Sequence, residues 1–257
     1  MILEGRIEVV DLHKSFGTQA VLRGISLVVE PGESVAILGP SGAGKSVLLK
    51  HMVGLLQPDL GEVRIDGHPV HTLRGPQLGA LRMQMGMVFQ GSALLDSLTV
   101  GENVAFPLRR HRRMDEGTLQ EKVLEKLKLV GMEGAKDRMP AELSGGMRKR
   151  VGIARALALE PRILLYDEPT AGLDPVTARA VDELILRVQK QTGTTTVLVT
   201  HDLLTALRVA QRIAVLDGGR FILVGPPETL WRSDHPLVVE FLRASRLPTR
   251  PEEEGRS

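Results

Sequence analysis

The octapeptide GPSGAGKS at residues 39–46 constrains the fold of this chain more than any other feature of its sequence. It follows an apolar stretch at Ser34–Leu38, which predicts a strand, and precedes an apolar-faced helix that we expect to end at about Leu55. Between a strand and a helix, such glycines let backbone N–H groups turn inward around phosphate oxygens, and the helix N-terminus adds a favourable dipole. The pattern therefore predicts a site for nucleotide phosphates.

This loop supplies the first set of candidate binding residues. We expect the phosphates to be surrounded by Gly39, Pro40, Ser41, Gly42, Ala43, Gly44, Lys45, Ser46 and Val47. Within this set, Lys45 would reach the β- and γ-phosphates, and the hydroxyl of Ser46 would ligate Mg²⁺. The alternative is a plain glycine-rich turn, but the strand before it and the helix after it favour the phosphate site.

Two adjacent carboxylates, Asp167 and Glu168, end a second apolar strand predicted at residues 162–166. A carboxylate at the carboxyl end of such a strand can hold Mg²⁺, and its neighbour can accept a proton from an attacking water. Successive strand residues point to opposite faces, so both can serve one site only if the turn at Pro169 redirects Glu168. Many strands end in solvated acidic residues, so this motif indicates a catalytic site only in combination with the phosphate loop.

The segment LSGGM at residues 143–147 precedes a predicted helix at residues 148–159. It has two interpretations. Ser144 can be the N-cap of that helix, followed by two small residues, or the helix N-terminus can form a second anion site. The residues by themselves leave both interpretations open.

Composition excludes several classes of function. The 257 residues include 33 Lys plus Arg and 31 Asp plus Glu, a balance typical of an ordinary globular protein. The absence of Cys excludes disulfides, thiol catalysis and iron–sulfur clusters. A net charge of +2, and a basic run at Arg109–Arg113 without interleaved aromatics, argue against a nucleic-acid partner. No signal peptide or membrane-spanning run is evident, so we expect another chain to cross any membrane involved.

Predicted strands alternate with predicted helices, which favours a mostly parallel sheet covered on both faces. Further strands are expected at Arg6–Val10, Leu22–Val29, Glu62–Asp66, Thr195–Thr200 and Ile213–Leu216. From about Thr99 to Leu159 the apolar spacing becomes helical, and another helix is expected at Pro175–Gln191.

Six motifs in order resemble those of ABC-type ATPases over nearly the whole chain, from about Ile7 to Leu242. GPSGAGKS, Gln90, LSGGM, LLYDEP, AGLD and His201 resemble the Walker A, Q-loop, signature, Walker B, D-loop and H-loop. The resemblance implies an α/β P-loop NTPase cassette with a RecA-like parallel sheet core, an antiparallel β subdomain and an inserted helical subdomain. It implies an ATPase domain at residues 1–245 with the helical subdomain at about 91–160, and we expect a flexible tail at 246–257.

The resemblance also assigns expected roles, with ATP and Mg²⁺ as cofactors. Two copies would face each other head to tail, each ATP lying between one Walker A loop and the other copy's signature. The residues expected to act across this dimer are Ser144, Gly145, Gly146 and Asp174. Within one copy, His201 would hold the water with Glu168, Gln90 would touch Mg²⁺ and the water, and Phe16 would stack on adenine.

A finer resemblance, to the ATPases of Mla-type lipid transporters, lies in Phe89–Val100, Asn103–Leu108, Met147 and Asp234–Leu242. It implies transport of phospholipid or a related lipid at the cytoplasmic side of a bacterial inner membrane. The implied partners are a separate permease and an MCE-domain lipid-binding subunit. The resemblance does not determine whether a small regulatory subunit also binds. Val47, where Thr is commoner, and the bulky Tyr166 depart from the usual pattern.

Two alternatives share the catalytic motifs. One is the ATPase of an importer for amino acids or another small polar solute. The other is a soluble ABC ATPase outside transport, a class that typically carries coiled-coil insertions or two cassettes in tandem. Neither feature occurs in this sequence.

Overall fold

The computed structural model describes residues 4–248, which contain two sheets and the helices that cover them. The strands are β1 (Ile7–Phe16), β2 (Gln19–Val29), β3 (Ser34–Leu38), β4 (Leu60–Ile65), β5 (His68–Pro69), β6 (Met85–Val88), β7 (Ile163–Asp167), β8 (Thr195–Thr200), β9 (Arg212–Asp217) and β10 (Arg220–Gly225). The helices are α1 (Lys45–Met52), α2 (Gly75–Met83), α3 (Val100–His111), α4 (Glu116–Leu129), α5 (Gly145–Leu157), α6 (Pro175–Thr192), α7 (Leu203–Val209) and α8 (Pro236–Ala244).

The larger sheet has the strand order β10-β9-β3-β8-β7-β6 and is parallel except for β10, which pairs antiparallel with β9. In its register Leu38 lies beside Thr200, and Asp167 lies beside Val199. The carboxyl ends of β3, β7 and β8 therefore meet at one edge. Each is followed by a motif singled out in the sequence, so the sheet brings together segments far apart in the chain.

Both faces of this sheet are buried, as the predicted alternation of strands and helices requires. One face packs against α5, α6 and α7 through Ala36, Leu38, Leu164, Tyr166 and Leu198. The other packs against α1 and the smaller sheet through Val35, Ile37, Ile163, Leu165 and Val197. Alternate residues of each strand enter different cores, so the apolar side chains on both faces of these short strands are packed.

The smaller sheet is antiparallel, with the order β2-β1-β4-β5. Its strand β1 continues to Phe16, well beyond the predicted end at Val10, because a bulge at Asp11 (φ 43°) lets the strand bend and pair again. Opposite the bulge only glycine fits, since a Cβ at residue 61 would lie 2.0 Å from the carbonyl oxygen of Asp11. The extension carries Phe16 toward the edge where the sequence motifs meet.

Helices α3, α4 and α5 pack on one another within the range predicted as a helical subdomain. The start of α3 is held by a capping box, in which Thr99 accepts from the N–H of Glu102 and the Glu102 side chain accepts from the N–H of Thr99. The buried Asn103 bonds the carbonyl oxygens of Leu95 and Leu98. These bonds fasten the loop before α3 to the helix itself.

The helix after the phosphate loop is shorter than predicted. Helix α1 ends at Met52 rather than near Leu55, because the chain turns at Gly54, whose φ is 68°. Of the predicted tail, residues 246–248 are described, and 249–257 lie outside the described residues. Across residues 4–248 the structure contains no helix with the length and apolarity that a membrane span requires.

Candidate functional site

A cavity of about 400 Å³ opens at the edge where β3, β7 and β8 end. It is lined by Phe16, Val21, Ser41, Gly42, Gly44, Lys45, Ser46, Val47, Gln90, Glu168 and His201. All of these except Val21 are predicted site residues. Val21 alternates into the cavity from β2, a position that only the placement of the smaller sheet reveals.

The phosphate loop has the backbone that its glycines predict. Gly42 (φ 83°) and Gly44 (φ 103°) adopt left-handed conformations, and a Cβ on Gly44 would lie 2.9 Å from Cδ2 of Leu22. The Nζ of Lys45 donates to the carbonyl oxygens of Gly39 at 2.8 Å and Pro40 at 3.0 Å. The loop thus surrounds a buried ammonium at the N-terminus of α1, which suits the binding of phosphate.

Ser46 and Asp167 meet directly, although 121 residues separate them: Oγ of Ser46 donates to Oδ1 of Asp167 at 2.8 Å. Burial raises the pKa of Asp167, the Ser46 hydroxyl opposes this shift, and the neighbouring Glu168 adds to it. Among residues 4–248 no group of three His, Asp or Glu side chains suits a metal. One hydroxyl and one carboxylate fit Mg²⁺, which keeps several waters and takes other ligands from substrate phosphates.

The backbone N–H and the side chain of Glu168 contact four neighbouring groups. Its backbone is left-handed (φ 47°), and its N–H donates to the carbonyl oxygen of Val199 at 3.0 Å. Its Oε2 lies 2.8 Å from Nδ1 of His201 and 3.3 Å from that residue's N–H, while its Oε1 lies 3.3 Å from Nζ of Lys45. The redirection of Glu168 that the strand pattern requires therefore comes from its own backbone conformation rather than from Pro169. Such costly conformations are concentrated at functional sites.

Phe16 and Gln90 reach the cavity from different sheets. Phe16 ends β1 with 47% of its surface exposed, and Nζ of Lys14 lies 5.6 Å from the centroid of its ring. An exposed aromatic face beside a phosphate loop can stack on a base. Gln90 is the second residue after β6, in the loop that leads to α3.

One contributor to the site had no signal in the sequence. The buried Lys149 of α5 donates to the carbonyl oxygens of Gln90 and, at 3.3 Å, Glu168. Its spacing within α5 identifies an inward-facing position but does not show what the ammonium contacts.

The sequence of residues 22–171 matches the ABC transporter family. The chain belongs to this family. Its fold is similar to that of CbiO1 from Clostridium perfringens, part of the ABC transporter complex CbiONQ, with a TM-score of 0.81 and 32% identity over 93% of this chain and 94% of that one. It is also similar to the dimeric bacterial ABC transporter cassette MJ0796, with a TM-score of 0.79 and 35% identity over 86% of this chain and 98% of that one.

Three curated relatives show the range of transporters with similar ATPases. The Mycobacterium leprae probable ribonucleotide transport ATP-binding protein Mkl is 42% identical over 94% of this chain and 70% of its own length. The Haemophilus influenzae intermembrane phospholipid transport system ATP-binding protein MlaF is 38% identical over 92% and 90%. The Mesorhizobium japonicum methionine import ATP-binding protein MetN is 41% identical over 96% and 67%.

Membership of the family confirms the predicted activity and its cofactors. The chain is an ABC ATPase that uses ATP and Mg²⁺ and couples hydrolysis to transport. MJ0796 is a dimer of such cassettes, and membership of the family makes this chain the ATP-binding part of an ABC transporter. The predicted α/β P-loop cassette fold is likewise confirmed.

The signature and D-loop residues of this ABC ATPase lie outside the cavity but beside each other. Ser144 is the N-cap of α5, accepting from the N–H of Met147 at 3.3 Å, and Asp174 caps α6 by accepting from the N–H groups of Val176 and Thr177 at 3.0 Å. A Cβ on Gly146 would lie 2.4 Å from Cγ2 of Thr177, so glycine permits the close approach of the two helix starts. The capping interpretation of Ser144 is thus observed, and it does not exclude the second interpretation as an anion site.

Proposed function

We propose that this ABC ATPase drives a transporter that moves phospholipid or a related lipid between membranes. It would act as a head-to-tail dimer at the cytoplasmic side of a bacterial inner membrane, on a separate permease. An MCE-domain subunit would bind the lipid. The ATPase itself then needs no lipid site, since its task is to transmit closure of the dimer to the permease.

The observation that carries this proposal is an apolar groove next to the Q-loop. The groove, of about 340 Å³, has an apolar lining that includes Met85, Met87, Phe89, Leu95, Phe106 and Leu159. Three of these, Phe89, Leu95 and Phe106, are large exposed apolar side chains. They fall within the two stretches by which the sequence resembles Mla-type ATPases. A contiguous exposed apolar surface favours a protein partner, and this one suits a permease helix.

The catalytic roles follow from the contacts around Glu168. Its carboxylate accepts a proton from the attacking water, while His201, 2.8 Å away, orients it. Lys45 and the glycine N–H groups hold the phosphates, and Gln90 reaches the same cavity from the Q-loop. Ser46 and Asp167 would hold Mg²⁺, which would supply charge neutralisation at the phosphates. Phe16 stacks on adenine.

Across the proposed dimer, the α5 N-terminus with Ser144, Gly145 and Gly146 donates to the γ-phosphate bound by the other copy. Asp174 contacts that copy's Walker A loop. The adjacency of these residues on one surface supports the proposal, because both motifs would meet the same partner.

The test is an affinity pull-down of the chain from its native membranes in mild detergent, with mass spectrometry of proteins and lipids. We expect a polytopic permease, an MCE-domain protein and bound phospholipid. A different permease without lipid enrichment would leave the ATPase role intact and overturn the lipid substrate. Recovery only with ribosomes or DNA would overturn transport itself.

The alternative substrate class is an amino acid or another small polar solute. The likeness to the methionine import protein MetN, 41% identical over 96% of this chain, supports it. The same pull-down separates the two, since an importer would be recovered with a solute-binding protein and without an MCE-domain subunit.

A further inference from the structure

Lys149 connects three of the motifs through a single buried side chain. It lies on α5, five residues after Ser144, and is 5% exposed. Its Nζ donates to the carbonyl oxygen of Gln90 in the Q-loop and, at 3.3 Å, to that of Glu168 after β7. The helix that begins at the signature is therefore bonded to both the Q-loop backbone and the backbone of the proposed base.

The electrostatics of Lys149 indicate a site-specific role rather than a chance contact. Burial lowers the pKa of its ammonium group, and the nearby carboxylates of Glu168 and Asp167 oppose this shift. A buried cation is costly unless its donors are satisfied, and here two carbonyl oxygens accept from it. An apolar side chain of similar volume would avoid that cost, so packing alone does not explain a lysine.

The conformation of Glu168 explains what the bond does. A left-handed backbone at a non-glycine residue persists only where its surroundings hold it. The N–H of Glu168 donates to the carbonyl oxygen of Val199, and Lys149 donates to the carbonyl oxygen of Glu168. The peptide groups before and after Glu168 are therefore both hydrogen-bonded. Ala171 donates its N–H to the same carbonyl oxygen at 3.2 Å, so removal of the ammonium leaves one donor there instead of two. The peptide after Glu168 would be held less firmly and could rotate. The carboxylate would then move relative to Lys45 and His201.

We infer that Lys149 is a positioning residue for hydrolysis, which holds the backbones of Glu168 and Gln90 in the arrangement that aims the carboxylate at the water. This inference rests on the proposed role of Glu168 as the base. It also makes α5 a physical connection between the signature and the catalytic carboxylate, so that a displacement of the signature also displaces the carboxylate.

The test compares Lys149→Met with Lys126→Met in the purified full chain. Lys126 is a matched control: it is a helical lysine, 6% exposed, bonded to Glu125 and Glu160 and remote from the cavity. For Lys149→Met we expect kcat to fall at least about tenfold, because small misplacements of catalytic groups cost up to about 10²-fold. Affinity for a fluorescent ATP analogue should stay within about twofold, since Lys149 does not line the cavity.

Lys126→Met should keep kcat within about twofold of wild type, even where its thermal stability falls as much as that of Lys149→Met. Equal kcat values for the two variants, or a kcat of Lys149→Met within about twofold of wild type, would overturn the inference. If Lys149→Met does not fold, Lys149→Gln replaces it. A neutral amide forms weaker hydrogen bonds than an ammonium. A kcat reduced at least about threefold is therefore expected, and an unchanged kcat would overturn the inference.

Glu168→Gln is measured in parallel to separate this inference from the proposed function. If Glu168→Gln hydrolyses ATP at the wild-type rate, the proposed base is wrong, and the inference fails with it. If Glu168→Gln is inactive while Lys149→Met is unaffected, only the role of Lys149 is overturned.

Discussion

Nδ1 of His201 lies 2.8 Å from Oε2 of Glu168, while Nζ of Lys45 lies 3.3 Å from the other oxygen of the same carboxylate. One carboxylate thus contacts the lysine predicted to bind phosphate and the histidine predicted to hold the water with it. His201 follows β8 and Glu168 follows β7, so the pairing depends on these strands being neighbours in the sheet.

Glu168→Gln should nearly abolish hydrolysis, with kcat reduced by about 10²–10⁴, because an amide cannot accept the proton from water. The affinity for ATP should stay within about twofold, since the amide preserves the shape of the side chain. Steady-state phosphate release and equilibrium nucleotide binding provide the two readouts. Glu183→Gln, at an exposed position of α6, is the control and should match wild type. Near-normal turnover of Glu168→Gln would contradict the assignment.

Ser46→Ala should raise the Mg²⁺ concentration for half-maximal activity by about tenfold or more, because it removes a predicted metal ligand and the partner of Asp167. The measurement is an Mg²⁺ titration of ATPase activity at saturating ATP. Ser41→Ala, in the same loop, removes a hydroxyl without touching Asp167 and should leave the Mg²⁺ midpoint unchanged. Equal midpoints for the two variants would count against Ser46 as a ligand.

Phe16→Ala should weaken ATP binding by about fivefold to 150-fold, since stacking of a base on an aromatic ring is worth roughly 1–3 kcal/mol. The loss should be smaller for Phe16→Trp, which keeps an aromatic face. Phe106→Ala removes a similarly exposed ring from the groove and serves as control. Nucleotide affinity unchanged in Phe16→Ala would show that the adenine binds elsewhere.

Leu95→Ser should lower permease-stimulated hydrolysis about fivefold or more while leaving the basal rate of the isolated chain within about twofold. Leu95 is 39% exposed in the groove, whereas its neighbour Leu94 packs against the core, so substitution of Leu94 would also disturb the fold. Leu55→Ser, at an exposed leucine outside the groove, is the control. Basal and stimulated rates that fall in proportion would argue against the groove as the permease site.

Asp182 provides a prediction about pH. It is fully buried on α6, accepts from Thr205 and Arg208, and burial raises its pKa to about 6, which these bonds partly oppose. Because the folded state holds this proton more tightly than the unfolded state, the contribution of Asp182 to stability decreases as pH rises from about 4 to about 6.

The free energy of unfolding of wild type relative to Asp182→Asn should therefore be about 1 kcal/mol lower at pH 7 than at pH 5. Urea denaturation at the two pH values measures it. The comparison with Asp182→Asn cancels groups that titrate in both proteins. A difference that is independent of pH, or that grows with pH, would contradict the raised pKa.

Much of the sheet could be predicted because its signals are local. The predicted strands at Ser34–Leu38 and Thr195–Thr200 match β3 and β8 at both ends, since each is a short buried run bounded by turn residues. The predicted helix at Pro175–Gln191 matches α6 within one residue, as a proline follows its capping aspartate. By contrast, β10 and the second half of β1 carry mixed polar and apolar residues. They lie at or near sheet edges, where few side chains are buried and the sequence therefore shows little regular alternation of apolar and polar residues.

The family, the phosphate loop and the types of residue that the site needs can be predicted from local motifs, because glycines, a lysine and paired carboxylates at fixed spacing are recognisable without the three-dimensional structure. Which atoms meet depends on how the segments pack in three dimensions. The contacts of Glu168 with His201, Lys45 and Lys149 depend on strand order, on one left-handed residue and on the packing of α5. These contacts join segments that are distant in sequence, so no local sequence pattern predicts them.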